Sequence, residues 1–582
     1  MPEGEDDMRN REVAALFMEL ADILEIQGEN PFRIRAYQRA SQNIEGLGED
    51  VAEIAKRGEL VNVPGIGKDL AAKVEEILAT GTLAALQELR EKVPPGLVEM
   101  LGIPGLGPKM AKRLHEELNI AGVDQLEECA RAGKLQGFAG IRAKTEEKIL
   151  RGIDLFRKGR ERTPLGFVLP IAEEIHQHLT KRCSVENISV AGSVRRMRET
   201  VKDLDILVVT KDQASVMEAF LARDDIDEVL ARGDTKTSVR LRGNLQVDVR
   251  AVDSQCFGSA LCYFTGSKAH NIRLREYAVK MGLKVNEYGV FKGEERVAGA
   301  TEAEVYKALG LPYIEPEMRE DRGEIEVALT GTLPRLVTKD DLKGDLHVHS
   351  TYSDGKADIE DIAVAAQRSG LQWVGVCDHS KSLKIGRGLS VKELEQKIEE
   401  VRRVNAKHKG VLLLCGAEVD ILTDGKLDYP DEVLKELDLV IAALHSGFRQ
   451  DEKTITGRMI SAMMHPLVHM IAHPTGRLFG ERDPYAVNME HVLEQAGRTG
   501  TALEINAYPK RLDLGDVMVR RARDMNVMLG IGTDAHQLDQ LEYLELGLGV
   551  ARRGWLEPRH LLNTFSRKEI VSYLRGKRKA AR

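Results

Sequence analysis

One rhythm recurs seven times in the carboxy-terminal third of the chain, and it constrains the fold more than any other feature. Short apolar segments read GDLHVH from Gly344, WVGVCDH from Trp373, LLLCGAEV from Leu412, LVIAALH from Leu439, HMIAHP from His469, ALEINA from Ala502 and LGIGTDAH from Leu529. Helical patterns separate them. Strand and helix alternating in this way predict a parallel barrel with helices outside. The active sites of such barrels assemble at the carboxyl ends of the strands, so residues far apart in sequence meet at one mouth. His347, His349, His379, Glu418, His445, His473, Asp534 and His536 stand at those ends, and Asp354 follows the first. A lone histidine beside an apolar strand is more often a satisfied core residue than a ligand, but nine placed candidates reverse that judgement. Mixed imidazole and carboxylate donors suit Zn²⁺, Mn²⁺ or Fe²⁺ better than Mg²⁺. Several clustered ions would generate hydroxide and clamp a phosphate ester for hydrolysis.

A second acidic constellation lies in the middle, where the chain reads AGSVRRMRETVKDLDILVVT from Ala191. Asp203 and Asp205 open an apolar run that predicts a buried strand, and alternate residues on a strand share a face. Asp248, in LQVDVRAV, is expected on a neighbouring strand. Carboxylates brought together are relieved by protons or by cations, and oxygen-only ligands suit Mg²⁺ or Mn²⁺. A metal pair there would activate a 3′-hydroxyl and stabilise leaving pyrophosphate. Gly192 and Ser193 can cradle a triphosphate, and Arg196 can neutralise it. Taken alone, the two aspartates also read as surface acids flanking a strand. With the Gly-Ser pair and the arginines, the segment resembles the nucleotidyltransferase superfamily.

The next motif narrows that resemblance. Tyr263-Phe264-Thr265-Gly266-Ser267 precedes KAHNIRLREYAVKMGLKVNEYGVF. From Asn10 to Glu326 the chain resembles the family X DNA polymerases, the group containing DNA polymerase beta. The resemblance implies that Asp203, Asp205 and Asp248 bind catalytic metals and that Gly192, Ser193 and Arg196 bind triphosphate. It also implies that Tyr263, Phe264 and Gly266 belong to the nucleotide pocket, that Asn271 meets the incoming base, and that Arg275 touches the template. An aromatic wall beside the sugar would exclude a 2′-hydroxyl by shape.

Two earlier segments match each other, VPGIGKDLAAKVEEIL from Val63 and IPGLGPKMAKRLHEEL from Ile103. Gly65 and Gly67, then Gly105 and Gly107, make tight turns into amphipathic helices whose first amides point outward, an arrangement that binds phosphate. A single copy also reads as a tight connection in a helical bundle. The duplicated pattern resembles the helix-hairpin-helix motif, a sequence-independent grip on DNA backbone. FAGIRAKTEEKIL from Phe138 is a weaker third copy, with Arg142 where the last glycine belongs. Aromatic residues are only 4% of the chain, so duplex or gapped DNA fits better than stacked single strands. Lys73 matches the Schiff-base lysine of the family's lyase activity, yet Asp69 replaces a basic phosphate contact, and a solvated helix lysine is the alternative reading.

The barrel segments closely resemble a polymerase and histidinol phosphatase (PHP) domain with all nine ligand positions filled for up to three ions. This implies manganese-stimulated 3′-5′ exonuclease activity, with abasic-site endonuclease and 3′-phosphatase activities beside it. Arg477, Asn506 and Arg511 read either as substrate contacts or as surface positions.

The expected fold is therefore multidomain α/β: helical helix-hairpin-helix domains, a nucleotidyltransferase palm with thumb, and a (β/α)7 PHP barrel. The expected boundaries are 1–85 and 86–160 for the two hairpin regions, 161–260 for the palm and 261–326 for the thumb. A linker at 327–342, the PHP domain at 343–572 and a basic tail at 573–582 complete the chain. The net charge of -8 conceals basic clusters at Arg33, Arg35 and Arg39, at Arg195, Arg196 and Arg198, and in the tail. Six cysteines without Cys-x-x-Cys spacing and an acidic amino terminus predict a reduced, cytoplasmic protein, expected as a monomer. Its partners would be gapped or primed DNA and deoxynucleoside triphosphates. The competing readings are a non-templated nucleotidyltransferase and a DNA-binding scaffold with inactive sites.

Overall fold

The computed structural model describes residues 6–45, 51–63, 65–80, 82–90, 93–100, 103, 106–135, 145–146, 149–150, 152–153 and 162–580. Pro64, Pro104, Gly105 and the Phe138 to Arg142 stretch of the third hairpin copy lie outside them.

The amino-terminal helices pack around one long helix, Asp6–Gln27, whose Val13, Phe17, Leu20 and Leu24 recur at helical spacing and are buried. One apolar core collects Val74 and Ile77 from the first hairpin helix, Lys68–Thr80, and Ala111 and Leu114 from the second, Pro108–Leu118. Gly107 caps the second in extended backbone, with Pro108 at the first helical position, where a missing N–H costs nothing. Asn119 ends it in the left-handed region, φ 55°.

The palm is a five-stranded sheet built from β1 (Asn187–Val190), β2 (Asp203–Val209), β3 (Ile226–Arg232), β4 (Lys236–Leu241) and β5 (Gln246–Val252), in the order β1-β2-β5-β4-β3. Only β2 and β5 run parallel; every other pairing is antiparallel. The helix Leu165–Arg182 covers the sheet with Val168, Ile175 and Leu179. The thumb follows with helices Phe257–Thr265 and Lys268–Lys280 and a small antiparallel sheet, around a core of Leu274, Val290, Tyr306 and Leu309 that also takes in Trp555 from beyond the barrel.

The barrel has seven parallel strands in sequence order: β6 (Gly344–Val348), β7 (Trp373–His379), β8 (Leu412–Asp420), β9 (Leu439–Ala443), β10 (Met470–Ile471), β11 (Ala502–Asn506) and β12 (Leu529–Gly532). A parallel bridge between Val348 and Ala535 links the first strand to the segment after the last, so the sheet curls almost closed as expected. All residues of β6, β7, β11 and β12 are buried, as strands packed on both faces must be.

Palm and barrel share one apolar cluster that runs from Leu204 and Val247 to Val348 and Ile531. In the expected linker, Leu336 and Val337 are buried, and the Val337 N–H donates to the Leu556 carbonyl oxygen at 2.9 Å. Arg575 and Lys577 of the expected tail belong to the last helix, Arg567–Ala580, which buries Leu574.

Candidate active sites

The palm site rests on register. Asp203 and Asp205 alternate along β2, and the Cα of Asp205 is paired across the parallel ladder with that of Asp248 on β5. Burial pushes the Asp205 carboxyl up to about 6, and the charges of Asp203 and Asp248 add to it. Burial pushes Asp248 up as well, but hydrogen bonds from Lys236, Ser238 and Gln246 outweigh it and hold this group below its ordinary value. Lys236 Nζ lies 2.8 Å from Asp248 Oδ2. A carboxylate that resists its charge because it is buried beside other acids is one that a divalent cation would relieve.

Gly192 and Ser193 begin a short helical turn, Gly192–Arg195, directly above this site. Gly192 has φ 63°, and a Cβ there would lie 2.7 Å from Asp205 Oδ2. Only glycine combines that conformation with such an approach. Arg196, which follows this turn, is already engaged: Nε donates to Glu320 Oε1 at 2.9 Å and Nη1 donates to the Thr265 carbonyl. Arg195 is committed to Glu302, through Nη1 at 2.9 Å and Nη2 at 2.5 Å.

The thumb gathers the remaining candidates on one wall. Tyr263 and Phe264 meet edge to face with ring centres 5.1 Å apart, and Tyr263 is 39% exposed. Asn271 Nδ2 donates to the Tyr263 carbonyl at 2.7 Å, and Arg275 Nε donates to the Asn271 carbonyl at 3.1 Å. Gly266 lies beside Arg196, its would-be Cβ 3.1 Å from Nη1.

In the barrel all nine expected residues converge. Three overlapping groups each have ligand atoms within 4.8 Å of one another: His349, Asp354, His379 and His536; His347, His349 and Asp534; and His379, Glu418 and His445. His473 Nε2 joins them, 2.8 Å from Glu418 Oε1. The cluster is crowded yet poorly paired. His379 Nδ1 and Glu418 Oε2 are 2.8 Å apart but misaligned, and both are buried without a hydrogen-bond partner, as are His349 Nδ1, His473 Nδ1 and Asp354 Oδ1. Buried polar atoms left in this state normally carry a large cost. Donors of this chemistry, aimed at common points, fit divalent ions. Burial pushes His349 down to about 4, helped by the neighbouring His379 and His536, so the neutral ring keeps one nitrogen lone pair available.

Carboxylates behind the cluster orient it, and these the sequence reading missed. Glu504 accepts from His347 Nδ1 at 2.7 Å and from the His473 backbone N–H at 2.6 Å. Asp420 accepts from His445 Nδ1 at 2.5 Å and from the Ser382 hydroxyl. Both were findable: Asp420 stands two residues after Glu418 on one strand, and Glu504 two before Asn506, so alternation puts each pair on one face.

Of the three additional candidates, Asn506 Nδ2 donates to Asp534 Oδ2 at 3.2 Å and supports the cluster. Arg511 faces it, with Nε 3.5 Å from Asp534 Oδ2 and with Nε and Nη1 buried without a hydrogen-bond partner. Arg477, which the sequence left open between a substrate contact and a surface position, is half-buried and engaged within the protein. Its guanidinium is spent on the carbonyls of Arg511 and Leu512 and on Glu199 of the palm, 3.0 Å away.

At the hairpins, Gly65 has φ 77° with Arg39 and Asn43 close by, whereas no atom lies within 4 Å of the would-be Cβ of Gly67 or Gly107, which leaves these turns open to a backbone. Lys73 is half-buried on the Lys68–Thr80 helix, one turn after the exposed Asp69. All six cysteines are free. Among the described residues, no helix is long and apolar enough to cross a membrane.

Comparison with known proteins agrees with this division of the chain. Residues 8–83 match the helix-hairpin-helix domain, 97–154 the SAM-like helix-hairpin-helix tandem, 260–320 the DNA polymerase beta thumb and 345–507 the PHP domain. The PHP match ends before Asp534 and His536, which the structure nevertheless brings to the same mouth. A probable phosphatase of Thermoanaerobacter sp. (strain X514) is 31% identical over 251 residues, covering 40% of this chain and 95% of that protein. A probable phosphatase of Caldanaerobacter subterraneus is 29% identical over 251 residues, again 40% of this chain and 92% of its own. The DNA polymerase/3′-5′ exonuclease PolX of Bacillus subtilis (strain 168) is 40% identical over 572 residues, 98% of this chain and 100% of the relative. Similarity sustained through hairpins, palm, thumb and barrel alike shows that the chain belongs to the family X DNA polymerases that carry a PHP domain.

Proposed function

We propose that this chain fills short gaps in duplex DNA during base excision repair and trims 3′ ends with its barrel. The observation that carries the reading is the convergence of Asp203, Asp205 and Asp248 beneath the Gly192 turn, in a chain whose nine barrel groups also converge.

In the palm, Asp203, Asp205 and Asp248 would hold Mg²⁺ or Mn²⁺. In the barrel, His347, His349, Asp354, His379, Glu418, His445, His473, Asp534 and His536 would hold up to three Mn²⁺, Zn²⁺ or Fe²⁺ ions. Ions bound there supply Lewis-acid polarisation of phosphoryl oxygens and, at neutral pH, a hydroxide nucleophile. The protein's own groups do the positioning. Gly192 and Ser193 receive the triphosphate of a deoxynucleotide and Arg196 neutralises it. Tyr263 and Phe264 wall off the 2′ side of the sugar, Asn271 offers donor and acceptor to the base, and Arg275 steadies the template strand. Gly65, Gly67, Gly105 and Gly107 let the hairpins approach phosphates of gapped or primed duplex. In the barrel, the unpartnered face of Arg511 would bind the scissile phosphate, while Glu504 and Asp420 hold His347 and His445 in the ligating tautomer. The chain would act as a monomer. Asp69 opposes a 5′-phosphate near Lys73, so lyase chemistry is no part of this reading.

A gapped duplex with a 3′-mismatched control, incubated with Mg²⁺ or Mn²⁺ and with or without deoxynucleotides, tests both halves. Asp203→Ala and Asp205→Ala should stop fill-in but spare 3′-5′ hydrolysis, and His347→Ala and Glu418→Ala should do the reverse. Incorporation that survives Asp205→Ala, or hydrolysis that survives Glu418→Ala, would remove the corresponding assignment.

A further inference from the structure

The helix Leu544–Arg553 belongs to the barrel side of the chain, yet it shapes the triphosphate turn of the palm. Arg553 is only 2% exposed. Its Nη1 donates to Glu320 Oε1 at 2.8 Å and to the carbonyl oxygen of Arg196 at 2.7 Å, and its Nη2 donates to Asp516 Oδ2 at 2.6 Å. Glu320 is also the partner of Arg196, whose Nε lies 2.9 Å away, and Arg198 Nη1 stands 3.6 Å from its second oxygen. One half-buried carboxylate is thus shared among three guanidinium groups. The next residue, Met197, sits in the left-handed region at φ 53°, uncommon for a side chain of that size. The same helix accommodates it: at Gly549 a Cβ would come within 2.6 Å of Met197 Cε and 2.9 Å of its Cβ. Glycine inside a helix is unfavourable unless another element must come close, and here the palm turn does.

We infer that Arg553 is a positioning residue for deoxynucleotide binding: it shares Glu320 Oε1 with Arg196 and grips the Arg196 backbone carbonyl, so that Glu320 is partly neutralised by Arg553 and holds the Arg196 guanidinium less tightly against a competing triphosphate. The inference rests on the reading of Arg196 as the triphosphate-neutralising arginine. Without Arg553, the Glu320 charge would fall to Arg196 and Arg198 alone, and a triphosphate would have to compete with it. The barrel side of the chain then helps shape the polymerase site through Arg553.

Steady-state fill-in of a gapped duplex by the full-length protein tests this, with the 3′-5′ hydrolysis of each variant measured in parallel. Arg553→Met should raise KM for deoxynucleotide about tenfold, the scale of one charge-assisted hydrogen bond, with kcat and hydrolysis nearly unchanged. Combining it with Glu320→Gln should return most of the loss, because the competing charge is gone. Arg553→Lys keeps the charge but not the fork that reaches both carboxylate and carbonyl, and should raise KM about threefold as a milder substitution. It also supplies a folded variant should Arg553→Met not be stable. An unchanged KM in Arg553→Lys and Arg553→Met, equal losses of both activities, or no recovery in the double variant overturns the proposal. Arg196→Ala separates the two readings: a normal KM there removes the role of Arg196 itself, whereas a raised KM beside normal Arg553 variants removes only the relay.

Discussion

His347 on the first barrel strand donates its Nδ1 proton to Glu504 on the sixth at 2.7 Å, and neither side chain is exposed to solvent. The contact fixes the tautomer that leaves Nε2 facing Glu418 and Asp534. Glu504→Gln keeps the volume and removes the charge. It should weaken metal affinity at the barrel about 10- to 100-fold, the usual cost of losing such a partner. A Mn²⁺ titration of 3′-5′ hydrolysis measures this, and fill-in by the palm should be unaffected.

Gly192→Ala attacks the palm site through backbone alone. The new Cβ would be 2.7 Å from Asp205 Oδ2 at a φ of 63°, so the turn or the carboxylate has to move. A displacement near 1 Å costs catalysis about a hundredfold, and incorporation should fall by that order while barrel hydrolysis persists. Wild-type incorporation by this variant would show that the turn does not hold Asp205.

Glu302 sets a pH window for the junction of palm and thumb. Burial pushes its carboxyl up, but hydrogen bonds from Arg195 and the charge of Arg319 prevail and hold it down at about 2 against an ordinary 4.5. A carboxyl depressed in the folded state stabilises fully above its unfolded pKa and loses that contribution as pH falls through the folded one. The contribution, about 3 kcal/mol for that shift, should be present above roughly pH 4.5 and gone near pH 2. Urea unfolding of wild type and Glu302→Gln, followed by tryptophan fluorescence from pH 6 downwards, should show the two stabilities approaching one another. A gap that is constant with pH would contradict the assignment.

Divalent ions should stabilise the barrel, because the misaligned His379 Nδ1 and Glu418 Oε2, buried without hydrogen-bond partners, would gain one in a cation. At a metal concentration about 100 times Kd, linkage gives about 2.7 kcal/mol. Calorimetry of chelator-stripped protein should show Tm rising with added Mn²⁺, and Glu418→Gln should abolish most of the rise. An unchanged Tm in the wild type would argue against metal in this cluster.

Much of both sites was legible in the chain. The two-residue period of Asp203 and Asp205, of His347 and His349, and of Asp534 and His536 fixes which side chains share a face, whatever the rest of the protein does. The seven-fold alternation with helices fixed a parallel barrel and therefore the end at which the histidines meet. Arg477 stayed open between two readings because its use depends on carbonyls at 511 and 512 and on a glutamate in another domain. Glu504 and Asp420 escaped because a carboxylate one layer behind a ligand has no motif of its own.

By itself the sequence determined the elements, their faces and the inventory of metal-binding groups, since each follows from local periodicity and from the chemistry of single side chains. The tertiary structure decided that Asp248 stands level with Asp205, that Glu504 backs His347, and that Arg553 shares Glu320 with Arg196. Those are distances between elements remote in sequence, set by how whole layers pack. A buried charge takes whichever partner that packing brings within reach, because it cannot remain unpaired away from water.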